Sequence, residues 1–196
     1  MGVWLGTPCT SWSRARRGPP GSGWCQIRSN QHIWGLPNLL PRDVARIKLG
    51  NSTLRASARV IRTAVNVGCP SILENPLTSM LFIAPPIAKL LRLPCASFAK
   101  THFCQHGARW RKATGLAAWH ASIPDNLQLT CSGHNGICSR TNKPHIVLSG
   151  ADPVSKILWT SIASKYTDRF GARAAKALVG AMHAQHYTRM HYLVNG

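Results

Sequence analysis

Short apolar segments alternate with polar loops along the first half of the chain, a pattern typical of an α/β protein. Val3-Trp4-Leu5 is followed by glycine, so it predicts a buried strand that leads to Cys9. Residues 52–67 predict a helix, because apolar side chains recur on one face and arginines occupy the other. Residues 71–73 predict a second strand that ends at Glu74. Strand, crossover helix and strand together predict a parallel βαβ unit.

Beyond this unit the pattern predicts short helices and then two further strands. Residues 77–91 predict short helices that are interrupted by Pro85-Pro86. Residues 96–104 and 114–120 predict strands on either side of a turn. All four predicted strands therefore lie in the first two thirds of the chain.

The carboxy-terminal part predicts two helices after a polar excursion. The first helix is predicted from Asp152-Pro153 to Tyr166, with Ile157, Leu158 and Ile162 facing inward. A second helix is predicted over about 172–182. We therefore expect three parts: an α/β core over 1–122, a loop excursion rich in Cys and His over 123–150, and C-terminal helices with a tail over 151–196.

The charge balance is extreme and favours a polyanionic partner. The chain has 24 Lys and Arg against 5 Asp and Glu, which gives a formal net charge of +19 and a pI near 10.9. Nucleic acid is the usual partner of so basic a protein. A structural protein bound to RNA and a translated fragment of biased composition are alternatives that fit the same balance.

The sequence also bears on where the protein resides. No run of about eighteen apolar residues predicts a membrane span, and no secretory signal is recognised. Seven cysteines, an odd number, favour thiols in a reducing compartment over disulfides. We expect an intracellular protein, with the nucleus as one candidate compartment.

Two segments at predicted strand ends carry side chains suited to chemistry. Pro8-Cys9-Thr10-Ser11-Trp12-Ser13 and Glu74-Asn75-Pro76 each follow a strand, and functional residues of open α/β sheets gather there. Cys9 can act as a nucleophile if cations lower the pKa of its thiol, and it is otherwise a small buried hydrophobe. Glu74, the only glutamate, can donate a proton to a ring nitrogen. Three arginines follow the thiol closely and can lower its pKa: Arg14, Arg16 and Arg17.

Together with a third segment, these motifs resemble the cytosine-5 DNA methyltransferases. The segment from Pro8 to Ser13 is similar to that family's Pro-Cys-Gln-x-Phe-Ser, and Glu74-Asn75-Pro76 is similar to its Glu-Asn-Val. The segment from His106 to Lys112, which leads into a predicted strand, is similar to Tyr-Gly-x-Pro-Gln-Arg-Arg. The resemblance covers roughly residues 3–120, which become the catalytic part. It implies a partial Rossmann-like methyltransferase sheet with crossover helices and a C-terminal helical pair.

The resemblance implies a role for each matching residue. Cys9 would attack C6 of a cytosine, Glu74 would engage N3, and Asn75 would hold the strand end. Lys112 and Arg111 stand where the family places arginines that steady the base. S-adenosylmethionine would supply the methyl group, and the target base would leave the DNA duplex before reaction. A basic rim that binds DNA beside the crevice is expected from Arg14, Arg16, Arg17, Arg109, Arg111 and Lys112.

The chain also departs from the family pattern. The family's Phe-x-Gly-x-Gly segment, which binds the methionine part of the cofactor, has no counterpart before Cys9. A permuted copy of that segment could lie at residues 147–152, where a strand, a glycine and a helix are predicted in turn. These residues lack the second glycine and the aromatic residue of the family's segment. We therefore expect a truncated or degenerate relative whose isolated chain does not methylate DNA, and a separate chain or domain that binds the cofactor. Two other hypotheses stay open: a non-catalytic basic nucleic-acid-binding protein, for example from a mobile element, and an unrelated thiol enzyme.

The excursion contains a Cys/His cluster with the spacing of metal ligands. Cys131-x2-His134-x3-Cys138-x6-His145 offers four soft ligands within a polar, glycine-containing segment. Zn²⁺ prefers four nitrogen or sulfur ligands in a tetrahedron, and a loop without its own core gains stability from such a closure. The pattern predicts a zinc site, and a polar loop with a few buried thiols is the alternative.

Overall fold

A four-stranded mixed sheet forms the centre of the structure. The computed structural model describes residues 1–16, 18, 22 and 25–194, with side chains described up to residue 184. The strands are β1 (Val3–Gly6), β2 (Ser71–Pro76), β3 (Ala96–His102) and β4 (Ala113–Trp119). They lie in the order β1-β2-β4-β3. β1 and β2 are parallel, and β4 is antiparallel to both of its neighbours, so the predicted α/β class is confirmed.

The predicted βαβ unit is confirmed, and its crossover helix is longer than expected. Helix α1 (Pro41–Asn66) begins with a proline. The N–H groups of the first helical turn have no acceptor within the helix, so the proline at this position sacrifices no hydrogen bond. It buries Leu54 and Ile61 completely against the sheet. The predicted start near residue 52 was wrong because Gly50 lies inside the helix. A Cβ there would collide with the side chain of Ser11, so the glycine serves close packing rather than a helix end.

The segment between β2 and β3 contains one short helix that begins where an interruption was predicted. Helix α2 (Pro85–Leu90) has prolines in its first turn, a position that proline favours. Pro85-Pro86 therefore begins this helix rather than breaking it. A 3₁₀ turn, Phe103–His106, then joins β3 to β4, which confirms the two strands predicted around a turn.

The carboxy-terminal helices differ from the prediction. Only α3 (Trp159–Ile162) forms within the predicted helix over 152–166, and Ile157 and Leu158 are 51% and 56% exposed rather than inward. Asp152 instead caps a turn, because its Oδ2 accepts from the backbone N–H of Ser155 at 2.8 Å. Helix α4 (Asp168–Val194) covers the second predicted helix and extends it at both ends. Across the described residues, every helix is too short or too polar to cross a membrane.

The sheet is covered on both faces, which fixes the strand ends in space. Leu73 of β2 points into a cluster with residues of α1 and α2. Its neighbour Ile72 points into a second cluster that includes the fully buried Phe170 of α4. The side chains of successive residues of β2 therefore pack into hydrophobic clusters on opposite faces of the sheet, because successive side chains of a β-strand point to opposite faces.

Candidate active site and metal cluster

Cys9 follows β1, and Glu74 lies near the end of the neighbouring parallel strand β2, which continues to Pro76 rather than ending at Glu74 as predicted. Gly6, the last residue of β1, is in register with Glu74 of β2. Asn75 joins the two strand ends, because its Nδ2 donates to the carbonyl oxygen of Thr7 at 2.6 Å. Asn75 is fully buried. The connection that precedes Cys9 is therefore fixed to the strand that carries Glu74.

The loop after Cys9 is anchored to α1 and to a buried arginine. The backbone N–H groups of Trp12 and Ser13 both donate to the Cys9 carbonyl oxygen at 2.9 Å. Trp12 is fully buried, and the guanidinium of Arg28 lies 3.5 Å from its ring centroid. Arg28 Nε also donates to the carbonyl oxygen of Ser11 at 3.0 Å, and burial lowers the pKa of Arg28 to about 10. These contacts hold the thiol loop in one conformation.

Glu74 is buried and has a cation and a phenol as partners. Its Oε1 lies 3.5 Å from Lys112 Nζ, in a pair whose side chains are only 7% and 16% exposed. The hydroxyl of Tyr166 donates to Oε2 at 3.1 Å. The ammonium of Lys112 also lies 4.6 Å from the ring centroid of Phe103, a cation–π distance. Each carboxylate oxygen of Glu74 is thus engaged by a different side chain.

The thiol of Cys9 responds to the same charges. Burial raises the pKa of Cys9, Lys112 acts to lower it, and Glu74 acts to raise it further. The expectation that nearby arginines would lower this pKa was wrong, because the net direction is upward and the cation that acts on the thiol among the described residues is Lys112. Cys9 is therefore mainly a thiol at neutral pH, and loss of its proton is coupled to Lys112 and Glu74.

Tyr166 is a site residue that the sequence did not reveal. Burial and the charge of Glu74 raise the pKa of Tyr166, so its hydroxyl keeps the proton that it donates. Trp4 Nε1 donates to the same hydroxyl at 3.3 Å, and the two rings meet edge to face. Tyr166 reaches the crevice from just before α4, far along the chain, and no local motif marks it.

The arginines expected to form a single basic rim have different environments. Arg16 Nε donates to the Cys25 carbonyl oxygen at 3.0 Å, and its NH2 lies 3.7 Å from the buried Asp43. Arg14 NH2 donates to Asn30 Oδ1 at 2.6 Å. Arg16 therefore stabilises the fold rather than offering a free charge. Arg109 and Arg111 are exposed, and Arg17 lies outside the described residues.

A second basic surface lies on the exposed face of α1. Helical geometry places four exposed cations within an arc of about 60° and along about 21 Å of the helix. A groove of about 400 Å³ runs beside them, and polar and basic residues with one alanine line it. None of the four forms a salt bridge within the described part of the chain. We call this surface the α1 stripe, formed by Lys48, Arg55, Arg59 and Arg62.

Four side chains form a separate cluster that could hold a metal ion. One ligand atom from each of Cys104, Cys131, Cys138 and His145 lies within 4.8 Å of all the others. The three cysteines are buried, and Cys131 Sγ lies 3.7 Å from His145 Nε2. The three sulfurs and one nitrogen match the ligand types and number that a structural zinc site uses.

The predicted ligand set was wrong at one position. His134 is exposed and does not belong to the cluster, and Cys104 takes its place. Cys104 belongs to the turn between β3 and β4, so sequence spacing within the excursion could not reveal it. The signal that was available was a cysteine two residues before His106, in the turn between β3 and β4.

Polar groups around the cluster favour negative charge on sulfur. The N–H and hydroxyl of Ser139 donate to Cys131 Sγ at 3.4 and 3.5 Å. Gln105 Nε2 donates to Cys104 Sγ at 3.6 Å. Burial acts to raise the pKa of Cys131, but the hydrogen bonds from Ser139 and neighbouring groups lower it to about 6. Burial raises the pKa of Cys104 to about 12.

Comparison with known proteins gives no relative for this chain. No protein-family model, no curated protein and no solved structure matches it. Its function is therefore inferred from the geometry described above.

Proposed function

We propose that the crevice at the ends of β1 and β2 is a nucleophilic site for cytosine in a nucleic acid, as in a cytosine-5 methyltransferase-like protein. One observation carries the proposal: Lys112 lies 3.5 Å from Glu74 and acts on the pKa of Cys9. A thiol, a carboxylate that can carry the thiol's proton to the ring, and a cation are the groups needed to add sulfur to a pyrimidine and to protonate its ring. The resemblance of three separate segments to that family supports the same assignment.

The chemistry that these groups can perform is addition to the ring. Glu74, a carboxylate in its ion pair with Lys112, accepts the proton of the Cys9 thiol, and the sulfur forms a bond to C6. The π electrons of C5=C6 move to C4–C5, those of C4=N3 move to N3, and N3 takes a proton from Glu74. Lys112 stabilises the carboxylate that results. The adduct is an enamine whose C5 is nucleophilic, and reversal returns the proton to Glu74 and expels the thiolate.

The residues of the crevice do not fit the methyl donor S-adenosylmethionine. A cavity of about 790 Å³ lies near Met1, Gly68 and Cys69. These residues precede β1 and β2, so the cavity is at the opposite ends of the strands from Cys9 and Glu74. At the end of β1, Thr7 is buried and hydrogen-bonded rather than part of a glycine turn. The proposed chemistry therefore ends at the cysteine adduct and includes no methyl transfer.

DNA is the partner that this proposal implies, and binding without catalysis is the second candidate function. The net charge of +19 and the α1 stripe favour a phosphate backbone as ligand. The poor fit to a methyl donor favours a protein that binds nucleic acid without transferring a methyl group, or one completed by a separate cofactor-binding chain. Either role requires access to cellular DNA, so the nucleus is the compartment that this proposal favours.

We also propose that the ion held by the Cys/His cluster is zinc. Thiolate and imidazole ligands suit Zn²⁺, and four of them in one buried cluster leave no position for a substrate. Its role would then be structural. Native mass spectrometry of the purified chain should show one zinc that disappears when Cys138 is replaced by serine and persists in His134→Ala. Zinc lost equally from His134→Ala would contradict the ligand set.

Hydrogen exchange at cytosine C5 tests the proposed chemistry without a methyl donor. The enamine should take deuterium from D₂O at C5 and release the original hydrogen when the adduct reverses, so DNA gains deuterium without net reaction. We expect exchange with the wild-type chain, none with Cys9→Ser, and loss of about a hundredfold with Glu74→Gln. Cys69→Ser is the matched control and should retain exchange. Exchange that survives Cys9→Ser would exclude Cys9 as the nucleophile.

A further inference from the structure

The turn between β3 and β4 connects the metal cluster to the crevice. Cys104 of this turn belongs to the cluster. Its neighbour Phe103 is fully buried and supports the ammonium of Lys112 at 4.6 Å. The backbone N–H of Phe103 also donates to the Lys112 carbonyl oxygen at 3.1 Å. One short turn therefore carries a metal ligand and fixes the cation that pairs with Glu74.

Hydrogen bonds from backbone N–H groups join the excursion to both sides of this turn. Each of these bonds involves a residue of the Cys/His cluster or its direct neighbour in sequence. The backbone N–H of Cys131 donates to His102 Nδ1 at 2.8 Å, where β3 ends. Ile146, which follows His145, donates its backbone N–H to the Arg109 carbonyl oxygen at 2.9 Å. Each such bond alone contributes only modestly to stability. An ion shared by ligands on both segments would make these contacts cooperative.

The same turn also anchors the second partner of Glu74. Thr167 Oγ1 donates to the carbonyl oxygen of His106 at 2.7 Å. Thr167 directly follows Tyr166, whose hydroxyl donates to Glu74 Oε2. Arg173 NH1 contacts His106 Nδ1 at 3.1 Å and adds a second link from α4. Both side chains that engage Glu74 therefore depend on the conformation of residues 103–112.

We propose that zinc bound by Cys104, Cys131, Cys138 and His145 is a clasp that holds this turn and thereby positions Lys112 and Tyr166 around Glu74. The functional meaning of this inference rests on the proposed function, and its structural content rests on the contacts above. Residues 131–146 of the excursion offer little core of their own, since only their two cysteines are buried. Loss of the ion should therefore loosen the excursion and the turn, while β1 and β2 stay ordered.

Amide hydrogen exchange followed by mass spectrometry tests the clasp directly. The wild-type chain is measured with zinc, after removal of zinc by a chelator, and after zinc is added back. We expect amides of residues 103–112 to exchange roughly tenfold faster without zinc and to recover on its return, with no change in β1 and β2. A turn whose exchange is indifferent to zinc, or a chain that binds no zinc, would overturn the inference.

Two ligand variants and a matched cysteine separate the clasp from general damage. Cys104→Ser removes the ligand on the turn, and Cys138→Ser removes one outside it if the first variant does not fold. Cys69→Ser is the control, since Cys69 precedes β2 and its Sγ donates to the Met1 carbonyl oxygen at 3.1 Å. We expect both ligand variants to lose zinc and protection of the turn, and the control to keep both.

Exchange at cytosine C5 distinguishes this inference from the proposed function. A zinc-loaded chain that protects its turn but exchanges no hydrogen at C5 would defeat the proposed function and support the clasp. A chain that exchanges hydrogen at C5 at the same rate with and without zinc would support the proposed function and overturn the clasp.

Discussion

Loss of the buried ion pair between Lys112 and Glu74 should destabilise the fold measurably. At the observed separation of 3.5 Å and an effective dielectric constant of about 20, the gross attraction is about 5 kcal/mol. Withdrawing both charges from water offsets a large part of it. We expect Lys112→Met to lower the free energy of unfolding by about 2–3 kcal/mol, because a buried carboxylate loses its cation.

A second buried carboxylate provides the matched control. Asp43 is only 1% exposed, and three arginines lie within 4.0 Å of it: Arg16, Arg42 and Arg46. Arg46→Met leaves two of these cations in place, and the Arg46 side chain is itself 38% exposed. We therefore expect Arg46→Met to cost about 1 kcal/mol or less.

Urea unfolding followed by tryptophan fluorescence, with zinc held constant, measures both costs. Glu74→Gln and the double variant with Lys112→Met complete a thermodynamic cycle, in which we expect a coupling of about 1–2 kcal/mol. A coupling near zero would refute the account of the pair. So would an Arg46→Met variant that is destabilised as much as Lys112→Met.

Three further predictions concern the phenol, the thiol and the α1 stripe. Tyr166→Phe removes the hydrogen bond to Glu74 and should slow hydrogen exchange at cytosine C5 by roughly tenfold. Because burial raises the pKa of Cys9, its rate of alkylation by iodoacetamide should increase with pH through a midpoint above pH 9.0. Lys112→Met should move this midpoint to a higher pH, because Lys112 acts to lower the pKa. A midpoint below pH 9.0 would contradict this prediction. Replacing Arg55, Arg59 and Arg62 with glutamine should lower the salt slope of DNA binding by about 2–3. The matched control replaces three other exposed cations with glutamine: Lys89, Arg92 and Lys100. The control should lower the salt slope by less than about 1. An equal fall in the salt slope for both triple variants would count against the α1 stripe as the DNA-binding surface.

Local patterns predicted the part of the site that lies on adjacent strands. A glycine after Val3-Trp4-Leu5 and a polar motif after residues 71–73 marked two strand ends, and the intervening amphipathic helix made them parallel neighbours. Parallel strands with one crossover must present their carboxyl ends at the same edge. The proximity of Cys9 and Glu74 was therefore predictable from short-range signals alone.

Contacts between distant segments were not predictable in the same way. Cys104 and Tyr166 reach their sites through the β3–β4 turn and the start of α4, and neither carries a periodic or spacing signal. The helix predicted over 152–166 failed because Asp152 satisfies backbone donors of a turn, with Lys156 at a φ of 59°. Asp-Pro is compatible with both a helix start and a turn, and only tertiary packing decides between them.

A covalent trap on cytosine tests the central claim most directly. DNA that contains 5-azacytosine carries nitrogen in place of C5, and this nitrogen can take a proton after sulfur adds to C6 and hold the adduct. Peptide mapping of the trapped complex should find the oligonucleotide on Cys9 and on no other cysteine, and Cys9→Ser should give no adduct. An adduct on another cysteine, or one that persists in Cys9→Ser, would contradict the assignment of Cys9 as the nucleophile of this crevice.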